Sequence, residues 1–322
     1  MQTFCNQRFA MGLPPGHRFP QPKYALLRQL VQAECPTLQL QEAQAASDGE
    51  LALAHSPDYI TAVREGYLSP AAQREIGFPW SERMAERSRR SVGATVAAAR
   101  AALLDGVACH LAGGTHHATA DKGSGFCVFN DVAVAARLMQ AEAHRQAGPD
   151  GRRLLRVWVI DLDVHQGNGT ADIFQHDATV FTLSLHGQKN FPFRKCPGDL
   201  DIDLPDGCTD AAYLAALDLA LAHGWQRQQA DGGPGLAFYL AGADPHEGDR
   251  LGRLKLSAQG LAERDRRVLN YLQSRGVPVV VLMAGGYGRD LAVTVALQLR
   301  TVQLAWQCWR DWQRLPGQHS KG

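Results

Sequence analysis

No run of the 322 residues approaches the ~18 uninterrupted apolar residues that a membrane-crossing helix needs, which argues against a transmembrane segment. The opening MQTFCNQRFAMGLPPG lacks a basic head followed by an apolar run, so no secretory leader is expected. The seven cysteines (Cys5, Cys35, Cys109, Cys127, Cys196, Cys208 and Cys308) never form a Cys-x-x-Cys pair. Scattered in this way they fit free thiols in a reducing compartment, and the cytoplasm is the expected location. Charge of one sign is also missing. The balance is 33 − 32 = +1, so no strong field draws nucleic acid or an anionic membrane to the chain. No internal repeat or low-complexity block is present.

What is present is a globular composition, 45% hydrophobic and 20% charged. The length is enough to bury a core without disulfide or metal staples. Glycine is in excess, at 32 residues, which calls for tight turns and loops where backbone approaches a ligand closely. Apolar runs predict strands at Val107–Ala112, Leu154–Asp161, Thr179–Leu185, Leu236–Ala241 and Pro278–Met283. Helical spacing predicts helices over Tyr24–Ala33, His55–Tyr67, Ser91–Leu104, Asn130–Ala143, Asp210–Gln229 and Ser257–Arg275. The segment up to Pro22, Ser69–Ala72 and Gly77–Trp80 read as loop, because Pro and Gly punctuate them. Strand and helix alternate along the whole chain. The expected fold class is therefore α/β, a single domain over residues 1–322 with a mostly parallel multi-stranded sheet and helices on both faces. In such sheets chemistry collects at the carboxyl ends of the strands, and the polar clusters of this sequence follow its strands.

The first of these clusters is Ile160-Asp161-Leu162-Asp163-Val164-His165-Gln166-Gly167-Asn168-Gly169. Residues two apart on a strand share a face, so Asp161, Asp163 and His165 are expected to project together. Three buried ionisable groups on one side need a compensating cation, and carboxylate with imidazole suits a divalent first-row metal such as zinc. The bland alternative is a strand end whose aspartates cap the next turn. Asp244, in Ala243-Asp244-Pro245-His246-Glu247, follows another apolar run. It could complete a three-ligand site with an open position, or cap a helix begun by Pro245. Asp249 reads as a residue that orders its loop. Gly113-Gly114-Thr115-His116-His117 offers paired imidazoles for proton transfer. Gly285-Gly286-Tyr287-Gly288 could bring a phenol to a developing oxyanion.

Together, and in this order, these segments resemble the zinc-dependent histone deacetylase family of the arginase–deacetylase superfamily. The resemblance spans about His17 to Asp290. The stretches GHRFPQPKY, DLDVHQGNGT, EGDRLGRLKLS and GLAERD are most similar to the class IV branch and its bacterial relatives. The resemblance implies one zinc ion per chain held by Asp163, His165 and Asp244. It implies catalytic roles for His116, His117 and Tyr287, with Asp161 behind His116 and Asn168 behind His117. It also implies an acyl-lysine tunnel walled by Gly125, Phe126, Phe191, Leu251 and Gly286. A structural potassium site is implied at Asp161, Asp163, His165, Ser184 and Leu185. The reaction implied is metal-assisted hydrolysis of an acyl-lysine amide, acetyl or longer fatty acyl, in a protein or peptide. A small acylated amine such as an acetylpolyamine is the alternative substrate.

Two departures stand out. Asn168 occupies a position where many class I members carry Asp, and Lys23 one where they carry Arg. A ureohydrolase of the same superfamily is disfavoured, because no Asp lies two residues beyond His165. The C-terminal Gln303–Trp312 stretch, with Trp306, Trp309 and Trp312, reads as a helix packing its tryptophans on the domain, with a partner or membrane-surface helix as the alternative.

Overall fold

The computed structural model describes residues 1–6, 11–147 and 154–314. Eight strands form one sheet: β1 (Gln2–Cys5), β2 (Gln39–Glu42), β3 (Val107–His110), β4 (Val157–Asp161), β5 (Val180–Gly187), β6 (Leu200–Leu204), β7 (Leu236–Leu240) and β8 (Val279–Leu282). Their spatial order is β2-β1-β3-β8-β7-β4-β5-β6, and every pairing is parallel. The central strands are apolar at every position because both faces are covered. In β7, Leu236, Phe238 and Leu240 enter one core, while Ala237 and Tyr239 enter the other. The first core is closed by α5 (Glu82–Asp105) and α6 (Asp131–Gln146). The second is closed by α1 (Pro22–Glu34), α8 (Asp210–Gln229), α9 (Ala258–Gln273) and α10 (Leu291–Trp312). The expected single-domain parallel α/β architecture is the observed one.

The differences are local and have physical reasons. Three strands lie outside the expected set. β1 falls within the segment expected to be loop, while β2 and β6 are sheet-edge strands with half-exposed or exposed residues, so neither shows a buried apolar run. Pro70–Ile76 forms a short helix, not a loop: Ser69 accepts from the Ala72 N–H and Pro70 sits in the first turn. Ser56 caps the Pro57–Glu65 helix in the same manner. α5 begins at Glu82, not Ser91. Its first turns are rich in Arg and Glu, yet they bury Met84, Ala85 and Arg87. α10 seats its tryptophans on the domain, with Trp312 against Gly106, where a Cβ would come within 2.2 Å of the indole nitrogen. Among the described residues, no helix is long and apolar enough to cross a membrane.

One buried charge fixes the geometry of the loops that follow β4 and β7. Arg264 of α9 is 1% exposed and donates to the carbonyls of Leu162 (3.2 Å) and Gly242 (2.7 Å). It pairs with Asp265 at 2.8 Å, and Asp265 also accepts from the hydroxyls of Tyr239 and Thr301, each at 2.6 Å. Replacing Arg264 by Leu would strand a buried carboxylate and two carbonyls. We expect a loss of about 3–5 kcal/mol, read as a lower midpoint in chemical denaturation of the metal-free protein. A change of less than about 1 kcal/mol would show that the clamp does not hold the loops.

Candidate active site

The Asp-Leu-Asp-Val-His segment leaves the sheet earlier than the alternation implied. β4 ends at Asp161, and Asp163 and His165 lie in the irregular segment beyond it. Their common orientation comes from two successive side-chain turns. The Asp163 N–H donates to Asp161 Oδ1 (3.1 Å), and the His165 N–H donates to Asp163 Oδ1 (2.9 Å). Asp244 starts no helix. Its Oδ1 accepts from the Val164 N–H at 3.0 Å and so ties the loop after β7 to the loop after β4. Gly285, after β8, donates its N–H to Asp163 Oδ2 at 2.7 Å. A Cβ there would lie 1.9 Å from Asp244 Oδ2, so only glycine permits the approach.

Three potential ligand atoms, one each from Asp163, His165 and Asp244, lie within 4.8 Å of one another, and all three side chains are buried. His165 Nδ1 is 2.9 Å from Asp163 Oδ1 and 3.3 Å from Asp244 Oδ2. The hydrogen bond goes to Asp163 and leaves Asp244 Oδ2 buried without a partner. Burial, reinforced by the Asp163 charge, pushes Asp244 up to about 7. Burial works the other way on His165, but Asp163 and Asp244 raise it to about 10. A buried carboxylate oxygen with no donor, beside a second carboxylate and an imidazole, is a donor set that fits a divalent ion such as zinc.

The paired histidines sit beside this group, with ring centroids 4.1 Å apart. His116 Nδ1 is 2.5 Å from Asp161 Oδ2. Burial opposes its charge, but Asp161 and Asp163 raise it to about 9. His117 Nδ1 is 2.7 Å from Asn168 Oδ1, a neutral acceptor. Burial, with His116 and His165 nearby, holds His117 well below the usual histidine range. The two imidazoles therefore differ in protonation because one is backed by a carboxylate and the other by an amide. Tyr287 faces the same cavity. Its hydroxyl makes no hydrogen bond among the described residues, while its N–H donates to Asp249 Oδ2 at 2.6 Å.

The histone deacetylase domain family matches residues 17–301. The chain belongs to the histone deacetylase family. It is 44% identical over 285 residues to an uncharacterized protein of Picosynechococcus sp., an alignment covering 88% of this chain and 91% of the relative. It is 32% identical to histone deacetylase 2 of Arabidopsis thaliana over 78% of this chain and 64% of that protein. Acetoin utilization protein AcuC of Staphylococcus aureus is 27% identical over 79% of this chain and 67% of its own length. Among solved structures, an HDAC homolog complexed with SAHA superposes with a TM-score of 0.76 at 28% identity, covering 95% of this chain and 84% of that one.

In this histone deacetylase homologue the cavity over the candidate metal group has a volume of about 320 Å³. Gly125, Phe126, Phe191 and Leu251, all expected as tunnel residues, line it. Phe191 meets His117 edge-on at 4.9 Å, and the Phe126 ring is 5.9 Å from that of Tyr287. Phe126 adopts a left-handed backbone, φ 66°, a strained conformation for a bulky residue of the kind found at functional sites. Gly286 is a correction: it does not line the cavity, and a Cβ on it would meet Thr294, Ala243 and Gln298. Gly285 lines the cavity in its place.

The residues expected at a potassium site are only partly brought together. Asp161 and Ser184 are register partners on β4 and β5 and line a cavity of about 10 Å³ with Thr182 and Asp201. Asp163, His165 and Leu185 do not line it. Lys23 is fully buried and donates to the carbonyl of Gly286 at 3.2 Å.

Asp131 is a residue that sequence reasoning passed over, as one position within the expected Asn130–Ala143 helix. Its carboxylate accepts from the N–H groups of Gly114 (3.0 Å) and Thr115 (2.8 Å), and from the hydroxyls of Thr95 and Thr115. It thus holds the loop that carries both histidines. Asp249 does the same on the other side, accepting at Oδ1 from the N–H groups of Leu251 (2.8 Å) and Gly252 (2.9 Å) and at Oδ2 from Tyr287 (2.6 Å). Asp249→Ala would free three backbone donors around Tyr287. We expect about 2–4 kcal/mol of lost stability and a kcat/KM lowered roughly 10–100-fold, with metal content unchanged. Steady-state kinetics beside elemental analysis checks this, and loss of the metal instead would make Asp249 part of the metal site.

Proposed function

We propose that the protein is a zinc-dependent amidohydrolase that removes acyl groups from lysine side chains. The observation that carries this is the convergence of Asp163, His165 and Asp244, with an unpartnered carboxylate oxygen, beside His117 and Tyr287 on one cavity. Zinc held by those three side chains would supply Lewis acidity to an amide carbonyl and make an attacking water more acidic.

The chain's own groups then divide the work. His117 donates through Nδ1 to Asn168 and is neutral, so its other nitrogen can take a proton from the attacking water. His116, held protonated by Asp161, delivers a proton to the leaving amine. The Tyr287 hydroxyl donates to the carbonyl oxygen as it gains charge, a contribution of about 3 kcal/mol. Phe126 and Phe191 flank the aliphatic stem and keep water from the reacting centre.

The cavity favours lysine over a polyamine. Among the described residues, Glu75 is the one acidic residue that lines it apart from Asp163 in the metal group, so a second ammonium would find a single carboxylate. The free cysteines fit a reducing compartment such as the cytoplasm. The test is turnover by the zinc-loaded protein of an acetyl-lysine peptide against N-acetylspermidine. A kcat/KM at least about 10-fold higher for the peptide is expected. Turnover of the polyamine alone would transfer the reading to small acyl-amines, and turnover of neither would end it.

A further inference from the structure

A buried cation in the site cavity makes no ion pair among the described residues. Arg87 of α5 is 9% exposed and lines the same cavity as His116, His117 and Tyr287, with Ser91 one helical turn further on. The guanidinium lies over the rings of Tyr24 (4.9 Å) and Phe19 (5.8 Å), contacts that leave its N–H groups available as donors. Among the described residues it makes no hydrogen bond and no ion pair. Asp131, the carboxylate that holds the histidine loop, is fully taken up by Gly114, Thr115 and Thr95. His110, beside Thr95, is lowered by burial to about 4 and is neutral. Lys23 adds a second buried cation, its ammonium 5.0 Å from the Tyr24 ring and 5.4 Å from the Tyr287 ring, and its hydrogen bonds go to the carbonyls of Ala284 and Gly286.

A guanidinium cannot shed its proton, and its planar fork matches a carboxylate in two parallel hydrogen bonds. An unpaired charge kept in such a place is costly unless an anion comes to it. Gly113 and Gly114 line the same cavity, and a Cβ on them would lie 2.7 Å from Asp131 Oδ2 and 2.8 Å from Ala284 Cβ respectively. Bare backbone lets this loop pack closely against those neighbours, and a single cavity is lined by both the histidines and Arg87 of α5.

We propose that Arg87 receives the free carboxylate at the far end of a dicarboxylic acyl chain, so that the site removes acidic acyl groups of the succinyl or glutaryl class from lysine. This rests on the hydrolase reading above. Water supplies a hydroxyl oxygen to the acyl carbon and a proton to the lysine nitrogen as the C–N bond breaks. The products are a dicarboxylate and a free lysine ammonium. A short neutral acyl group leaves the guanidinium unmet.

The test compares lysine peptides that carry glutaryl, its neutral terminal amide, or acetyl, using the zinc-loaded protein. The glutaryl peptide should exceed the terminal amide in kcat/KM by at least about 10-fold. In Arg87→Met that ratio should fall by roughly 30-fold or more, and Arg87→Lys should restore part of it. Titration of the metal-free protein with N-butylglutaramate gives a second readout: binding at least about 10-fold weaker in Arg87→Met than in wild type. Hydrolysis of acetyl-lysine with no preference for glutaryl over its amide would overturn the inference alone. An equal slowing of all substrates in the variant would overturn it too, assigning Arg87 to departure of the product carboxylate. No cleavage of any lysine amide, with N-butylglutaramate binding still dependent on Arg87, would overturn the hydrolase reading and leave the carboxylate site standing.

Discussion

Asp244→Asn is expected to reduce bound zinc from one ion per chain to a trace and to lower kcat/KM roughly 1,000-fold or more. The reason lies in the two oxygens of this side chain. Oδ1 accepts from the Val164 N–H, and an amide oxygen can take over that bond, so the loop connection survives. Oδ2 has no donor, is buried, and faces Asp163 and His165. With an amide nitrogen in its place, the site loses both a ligand and a negative charge. The same change should stabilise the protein when metal is removed, because it removes a carboxylate whose charge is opposed by burial and by Asp163. Its size should be about 1–3 kcal/mol. With zinc at 1,000 times its dissociation constant the order reverses, since wild type alone gains about 4 kcal/mol from binding. Denaturation midpoints of both proteins, with and without zinc, read this crossover directly. A variant less stable than wild type in both conditions would show that Asp244 is structural and not a ligand.

Tyr287→Phe is the second large effect. The phenol ring packs near Phe126 and His165, and the backbone N–H holds Asp249, so phenylalanine preserves every contact except the hydroxyl. That hydroxyl has no hydrogen-bond partner among the described residues and faces the cavity. Burial keeps it protonated, with Tyr24 and the nearby carboxylates adding to the effect, so it has a proton to donate. The expected result is a fall in kcat of about 100–1,000-fold. Zinc content should be unchanged, and stability should stay within about 1 kcal/mol of wild type. Near-normal turnover would remove Tyr287 from the reaction.

The parts of this architecture that could be read from the sequence are those where burial leaves a periodic mark. VWVID in β4 and LAFYL in β7 are apolar throughout because helices cover both sides of the sheet. QLQE in β2 and LDIDL in β6 lie at the sheet edges, and their exposed residues erase that mark. Asp161, Asp163 and His165 are linked through side-chain turns beyond the strand, not through its pleat, which spacing two apart does not reveal. The exchange of Gly286 for Gly285 reflects a register of one residue in a glycine pair, which spacing alone does not reveal. Arg87 and Arg264 stand in charge-rich helical stretches that look solvent-facing. Only the packing of α5 and α9 shows that both are buried.

Anomalous X-ray scattering at the zinc edge, from crystals of the zinc-loaded protein, is the most direct measurement. A single strong peak is expected about 2.0–2.2 Å from His165 Nδ1 and from one carboxylate oxygen each of Asp163 and Asp244. A well-folded crystal with no peak there, or with its zinc held by other side chains, would contradict the metal centre on which the chemistry depends.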